Sequence, residues 1–261
     1  MPVYIESDDD NILTAKITGE IDHHSAKWLR MDIDTAINDM KPKLLKLDFS
    51  GVTFMDSSGV GLVMGRNANM KEIEGQVELV NMPPFIERVM AIAGMDKLTG
   101  TDFQKEGQAM ANKNKPTNEM KLIFPALSVN ESFARTAVSS FIGLLDPKMD
   151  ELIDIKTAVS EAVTNCIVHA YRDSTGDIEL SVKVFSDRTV YIKVKDRGCG
   201  IENIEQAMEP LYTTHPEEER SGLGFSVMES FCDDVKVSSK IGSGTTVTLR
   251  KKLRTKLQDY L

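Results

Sequence analysis

Ser160-Glu161-Ala162-Val163-Thr164-Asn165-Cys166-Ile167-Val168-His169-Ala170-Tyr171 is the stretch on which the fold turns. At about 100° per residue, Leu152, Ile155, Val159, Val163 and Cys166 fall on one side of a helix running from about Met149 to Tyr171. Glu161 and Asn165 fall on the opposite side, and their i, i+4 spacing stacks them one turn apart. An amide oxygen can bind a hard cation such as Mg²⁺ directly. A carboxylate beside it can accept a proton from an attacking hydroxyl, or orient that hydroxyl. A solvated polar face is the plainer alternative, since polar pairs at this spacing are common on helices.

Three glycine-bearing segments follow in order. Asp196-Arg197-Gly198-Cys199-Gly200 comes straight after a strand over Val190–Val194, where glycines let the backbone approach a ligand and an aspartate can accept from an amino group. Arg220-Ser221-Gly222-Leu223-Gly224-Phe225 enters a helix predicted over Gly224–Cys232. Backbone N–H groups and the helix dipole favour phosphate at such a start, and Arg220 can add a charge-assisted bond. The polar stretch 208–219 before it, with Pro210 and Pro216, reads as a lid. Gly242-Ser243-Gly244-Thr245-Thr246 feeds a closing strand. Taken singly, the first of these is a strand-ending turn and the last a hairpin turn.

The order is what informs: E-x-x-x-N on a helix, then D-x-G-x-G, G-x-G and G-x-G-T resembles the GHKL ATPase superfamily. Met149-Asp-Glu-Leu, the Ser160–Tyr171 stretch and Pro216-Glu-Glu-Glu-Arg-Ser-Gly-Leu-Gly-Phe resemble the anti-sigma factor serine kinases of sporulating bacteria, the anti-sigma F factor family in particular. The resemblance covers about residues 119–252. It implies ATP or ADP and Mg²⁺ as cofactors, with Glu161 as general base and Asn165 as metal ligand. It implies that Asp196 reads adenine and that Gly198, Gly200, Ser221, Gly222, Gly224 and Thr245 shape the nucleotide pocket. Arg220 would meet the terminal phosphate. An arginine on the first helix of that family contacts the sigma factor, and Arg135 in Asn130-Glu-Ser-Phe-Ala-Arg matches it. It lies off the Phe133/Ala137/Phe141 face of its helix and is expected to be exposed. Ala170 stands where relatives often carry glycine, a change of one methyl.

The first half alternates extended and helical patterns. Strands are predicted over Ile12–Ile21, Leu44–Phe49 and Val77–Val80, with helices over His24–Met40, Ser57–Ile73 and Pro84–Ala93. Asp56-Ser57-Ser58-Gly59 closes a strand and opens a helix. A phosphate on a serine there gains from the open N–H groups and the dipole. The plainer alternative is that Asp56 or Ser57 simply caps the helix. Gly19-Glu-Ile-Asp-His-His-Ser-Ala with Phe54-Met-Asp-Ser-Ser-Gly-Val-Gly resembles the STAS domain of anti-anti-sigma factors, notably anti-sigma F factor antagonists, over about residues 3–103. In that family the second serine of the pair is the phosphoacceptor, which here is Ser58. His23 and His24 fall inside the motif with no chemistry assigned.

Between the halves, 104–119 is rich in Lys, Asn, Gln and Glu and reads as a linker. The expected domains are a STAS domain over 1–105, a linker over 106–118, a GHKL serine-kinase domain over 119–253 and a tail over 254–261. The fold class expected is α/β and α+β: a mixed sheet with helices, then an α/β sandwich whose mixed sheet carries helices on one face. In the second domain a strand over Met120–Phe124 precedes a capping box, Ser128 with Glu131, and a helix through Leu145. Further strands are expected at Ile178–Val184, Val190–Val194, Val235–Ser238 and Thr245–Arg250.

The 261 residues suit two domains. The net charge of −9, from 31 basic and 40 acidic residues, disfavours direct DNA binding, which needs a concentrated basic surface. The acidic start lacks a signal-peptide pattern and no apolar run suits a membrane helix, so a cytoplasmic location is expected. The three cysteines have no paired spacing and the four histidines no HExxH, which points to reduced thiols and away from zinc.

The resemblances together imply a kinase joined to its own substrate. The kinase half would bind and inhibit a sigma F-like sporulation factor and phosphorylate Ser58, in cis or on a neighbouring copy. Partners implied are the sigma factor, the STAS domain, a second copy through the kinase domain and a serine phosphatase. Two alternatives stand beside this: a non-catalytic, nucleotide-gated clamp on sigma with Ser58 as a helix cap, and an anti-sigma B-type general-stress kinase.

Overall fold

The computed structural model describes residues 3–8, 11–95, 115–171, 174–210 and 222–254. They fall into two compact units, each taken by itself. Residues 211–219 of the lid, Arg220, Ser221, most of the linker and the tail beyond Arg254 lie outside the described residues.

In the first unit four strands form one sheet in the order β1 (Val3–Ser7), β2 (Ile12–Ile21), β3 (Leu44–Met55), β4 (Gln76–Val80). β1 pairs antiparallel with β2, whereas β2 with β3 and β3 with β4 are parallel. Parallel neighbours need crossovers. These are α1 (His23–Met40) and α2 (Ser57–Glu72), with α3 (Pro84–Ile92) closing the unit. Alternate residues Leu13, Ala15 and Ile17 of β2 and Leu45, Leu47 and Phe49 of β3 are buried. On α1 the spacing Ala26, Leu29, Ile33, Ile37 turns one stripe to the core. Asp22 caps α1 through the Ser25 N–H at 2.8 Å, and the Ser25 hydroxyl accepts from the Asp22 N–H at 2.9 Å. Between the two helices, Asp34 accepts from the buried Arg66 and from Asn69, both at 2.9 Å.

In the second unit the strand order is β5 (Asn118–Pro125), β6 (Asp177–Val184), β7 (Thr189–Lys195), β9 (Gly244–Lys252), β8 (Asp234–Lys240). Each of these pairings is antiparallel, so the mixed pairing belongs to the first sheet. Three longer helices accompany the sheet: α4 (Val129–Gly143), α5 (Met149–Asn165) and α7 (Gly224–Phe231), with a short α6 (Ile204–Ala207) before the lid. One cluster joins Ile178, Leu180 and Val182 of β6 and Val190, Ile192 and Val194 of β7 to Val138, Ile155, Val159 and Val163 of the helices. Full burial of such a side chain is worth roughly 1.5–3 kcal/mol. No described helix is long and apolar enough to cross a membrane.

Two expectations fail on α4. Ser128 does not cap it: its backbone is already helical (φ −55°, ψ −33°) and its side chain makes no capping bond. Glu131, the other half of the expected box, is instead buried. Arg135 is also buried, not exposed: the inward stripe is Glu131, Ala134, Arg135, Val138, Ile142, while Phe133 is half exposed. The reason is a buried polar cluster. Arg135 pairs with Glu131 one turn away, its Nη1 donates to Ser160 Oγ at 3.3 Å, and Ser160 donates to Glu131. Removing one partner of such a pair strands the other. Arg135→Ala should therefore cost about 3–5 kcal/mol of unfolding free energy, read as a lower urea midpoint.

Candidate nucleotide site and candidate phosphoacceptor

α5 is buried nearly all round. Ile155, Val159 and Val163 face the sheet, but Ser160, Glu161 and Thr164 are buried too. Glu161, at 3% exposure, is thus not on a solvated flank. What covers this side is the start of α7. A Cβ placed on Gly224 would lie 3.1 Å from Glu161 Oε2 and 3.5 Å from Asn165 Oδ1. The carboxylate, the amide and the N-terminal turn of a helix therefore meet at one point. Gly222 precedes it in the left-handed region (φ 64°). That combination suits an anion held against a hydroxyl: N–H groups for the anion, a carboxylate for the proton.

After Asn165 the helix widens into a π-helical turn, Cys166–Ala170, of the kind found at functional sites. The turn presents its carbonyls to the Asp196–Gly200 loop. The Ala170 carbonyl accepts from the Cys199 N–H at 3.0 Å. Gly198 lies so close that a Cβ there would be 2.1 Å from the same carbonyl oxygen. Across the loop, Gly200 (φ 77°) abuts Lys240, and the Gly242 N–H donates to the Cys199 carbonyl at 2.8 Å. An open hollow of about 610 Å³, within the range of small-molecule sites, is lined by Ala170, Tyr171, Arg197 and Gly198 among others.

Asp196 is buried. Its Oδ1 accepts two backbone N–H bonds, from Gly198 at 2.9 Å and Thr245 at 3.0 Å. Its Oδ2 has the Cys166 thiol at 3.6 Å. Thr245 is buried on β9, with its hydroxyl 2.8 Å from that of Ser239, which also accepts from the Ile201 N–H at 2.8 Å. Of the residues singled out in the sequence, the structure brings Glu161, Asn165 and Gly224 to one place and Asp196, Gly198 and Thr245 to another, with Gly200 against Lys240. Sequence reasoning misses Ser160, Cys166 and Tyr171, whose roles depend on residues far away in the chain.

Burial first, and then the neighbouring Asp196 charge, hold the Cys166 thiol well above its ordinary pKa. With the folded value raised, this thiol's contribution to stability is complete below the unfolded value of about 8.5 and is lost as pH rises past it. Cys199 is exposed. Iodoacetamide at pH 8 should therefore modify Cys199 in the folded chain and leave Cys166 unmodified until denaturant is added, as read by peptide mass spectrometry.

On the first unit, Asp56 is the cap of α2. Its backbone is extended (φ −106°, ψ −169°), and its Oδ1 accepts from the Ser58 N–H at 2.8 Å. Ser57 and Ser58 occupy the first two helical positions and are partly exposed. Ser58 is thus not the cap. Gly59 is fixed by packing: a Cβ there would be 2.4 Å from Met55 Cγ.

The family model of the histidine kinase-like ATPase domain matches residues 124–251, and that of the STAS domain residues 6–109. The anti-sigma F factor of Geobacillus sp. (strain WCH70) is 57% identical over 135 residues, 51% of this chain and 92% of that protein. The chain belongs to the anti-sigma F factor family. Its membership rests on the second half, and the first half is a STAS domain. The anti-sigma F factor of Bacillus subtilis (strain 168) is 55% identical over 137 residues, 52% of this chain and 93% of that protein. Among solved structures, the anti-sigma factor antagonist SpoIIAA in its unphosphorylated form is 31% identical, with 37% of this chain and 84% of that chain covered at a TM-score of 0.35.

Proposed function

We propose that this chain is an anti-sigma factor with protein serine kinase activity, which holds a sigma F-like factor inactive and transfers the γ-phosphoryl group of ATP to Ser58. The observation that carries the kinase reading is the meeting of Glu161, Asn165 and the Gly224 turn. Glu161 accepts the Ser58 hydroxyl proton. The serine oxygen forms a bond to phosphorus as the bond to the ADP leaving oxygen breaks. N–H groups at the start of α7 bind the phosphates, and Arg220 and Ser221, just before it in sequence, are assigned to the same phosphates by the family resemblance. Asp196 accepts from the adenine amino group. When bound, Mg²⁺ would supply neutralisation of phosphate charge. A single amide oxygen, from Asn165, fits a cation that takes most of its ligands from phosphates and water.

Phosphorylation adds roughly −1.5 to −2 charges at Ser58, beside the Asp56 carboxylate that already uses its N–H. The added charge opposes docking of the STAS domain on the kinase, and a serine phosphatase restores it. Unphosphorylated STAS domain competes with the sigma factor for the kinase, most favourably with ADP bound. The domain limits proposed are 1–105 and 119–253, joined by 106–118, in a cytoplasmic protein. A second copy docks through β5, an edge strand whose surroundings expose Ile123, Leu127, Val129 and Phe133, each at least half exposed. Arg135, being buried, is not part of the surface offered to the sigma factor.

The clamp reading loses its account of Ser58, because Asp56 already caps the helix. The experiment mixes a Glu161→Ala chain with a Ser58→Ala chain and radiolabelled Mg-ATP. Label on the Glu161→Ala chain supports transfer between copies. Label on neither mixture nor wild-type protein contradicts the kinase reading.

A further inference from the structure

Tyr171 ends the π-helical turn and is buried. Its hydroxyl sits between two backbone groups, donating to the Asp177 carbonyl at 2.8 Å and accepting from the Arg197 N–H at 2.8 Å. Its ring fills the space over Gly176, where a Cβ would come within 2.1 Å of the ring.

Three bonds pin the backbone around Asp196. The Asp196 N–H donates to the Thr245 carbonyl at 3.0 Å, the Gly198 N–H donates to Asp196 Oδ1 at 2.9 Å, and the Arg197 N–H donates to Tyr171. The first is between backbones and the second uses Asp196 itself. Only the third depends on a separate side chain. The carboxylate is polarised in its use: Oδ1 carries two N–H donors, while Oδ2 has only the weak thiol donor of Cys166 among the described residues. An N–H from a ligand must therefore meet Oδ2, whose direction follows the peptide between Asp196 and Arg197.

We infer that Tyr171 is a positioning residue for base selectivity, its hydroxyl holding the Asp196–Arg197 peptide so that Oδ2 faces the exocyclic amino group of an adenine nucleotide. This rests on the reading of the second unit as an ATP-using kinase domain. In that reading the phosphate end of the nucleotide lies with α7, whereas both hydrogen bonds of the Tyr171 hydroxyl run to the backbone of Asp177 and Arg197. Burial raises the phenol above its ordinary pKa, so the O–H keeps its proton at neutral pH and both bonds persist.

The test compares the full chain with Tyr171→Phe, which keeps the ring over Gly176. Binding of ATP is measured beside that of purine riboside triphosphate, which has hydrogen in place of the 6-amino group. ATP affinity should fall about tenfold while the analogue changes by about twofold or less, so that the preference for ATP shrinks. Equal weakening of both ligands, or no change in ATP affinity, overturns the inference and leaves the kinase reading intact. Wild-type protein that binds neither triphosphate overturns that reading and this inference with it. A second measurement needs no variant: ATP should protect the Arg197 amide of the wild-type chain from hydrogen exchange more than the analogue does. Equal protection by both overturns the inference.

Discussion

Glu161→Gln should lower the rate of phosphoryl transfer to Ser58 by about 10²–10⁴-fold, the usual worth of a positioned general base. Glutamine keeps the size of the side chain, so its contact with Gly224 is retained. The carboxylate is buried under the start of α7, and a base withdrawn from water acts on a nearby proton without solvent competing for it. In the proposed site the phosphates meet backbone N–H groups at the start of α7, so ATP affinity is expected to change little. Stopped-time assays with labelled ATP give the rate, and equilibrium binding gives the affinity. A fall in affinity that accounts for the whole loss of rate would make Glu161 a binding residue instead.

Gly198→Ala should have the second large effect, on nucleotide affinity. The added methyl would lie 2.1 Å from the Ala170 carbonyl oxygen and 2.7 Å from its Cβ. These atoms belong to the turn that ends α5, and the carbonyl is already bonded to Cys199. Relief requires moving the loop that carries Asp196. Overpacking of this kind costs about 1–3 kcal/mol, so ATP affinity should fall roughly 5- to 150-fold if the strain is relieved at the loop. Calorimetric titration reads it, with a thermal melt as companion. Wild-type affinity would mean that the loop does not contribute to the nucleotide site.

The glycine segments are legible because a glycine in such a motif marks a close backbone approach, although the atoms approached lie far away in the chain. Gly198 must pass the end of the helix that carries Glu161, and Gly224 must pass Glu161 itself. The cap of α2 is legible to within one choice, and backbone conformation resolves it: Asp56 is extended and accepts from the Ser58 N–H, whereas Ser128 on α4 is already helical. Arg135 was not legible. Its ion-pair partner Glu131 is only one turn away, but the pair is buried with Ser160, on another helix and 25 positions away, and a charged residue is read as exposed unless the whole cluster is known. The burial of Glu161 was hidden for the same reason, since Gly224 covers it from far along the chain. β1 was missed because only Val3 of its five residues is buried, too little alternation to register. Tyr171 gave no signal at all: its two bonds run to backbone groups, which have no side-chain pattern to read.

The most direct measurement is the mass of the tryptic peptide that carries Ser58 after the purified chain is incubated with Mg-ATP, with Glu161→Ala in parallel. The account predicts one added phosphate, placed on Ser58 and not Ser57, in the wild-type sample and essentially none in the variant. A peptide left unmodified in the wild-type sample, or equally modified in both, would contradict it.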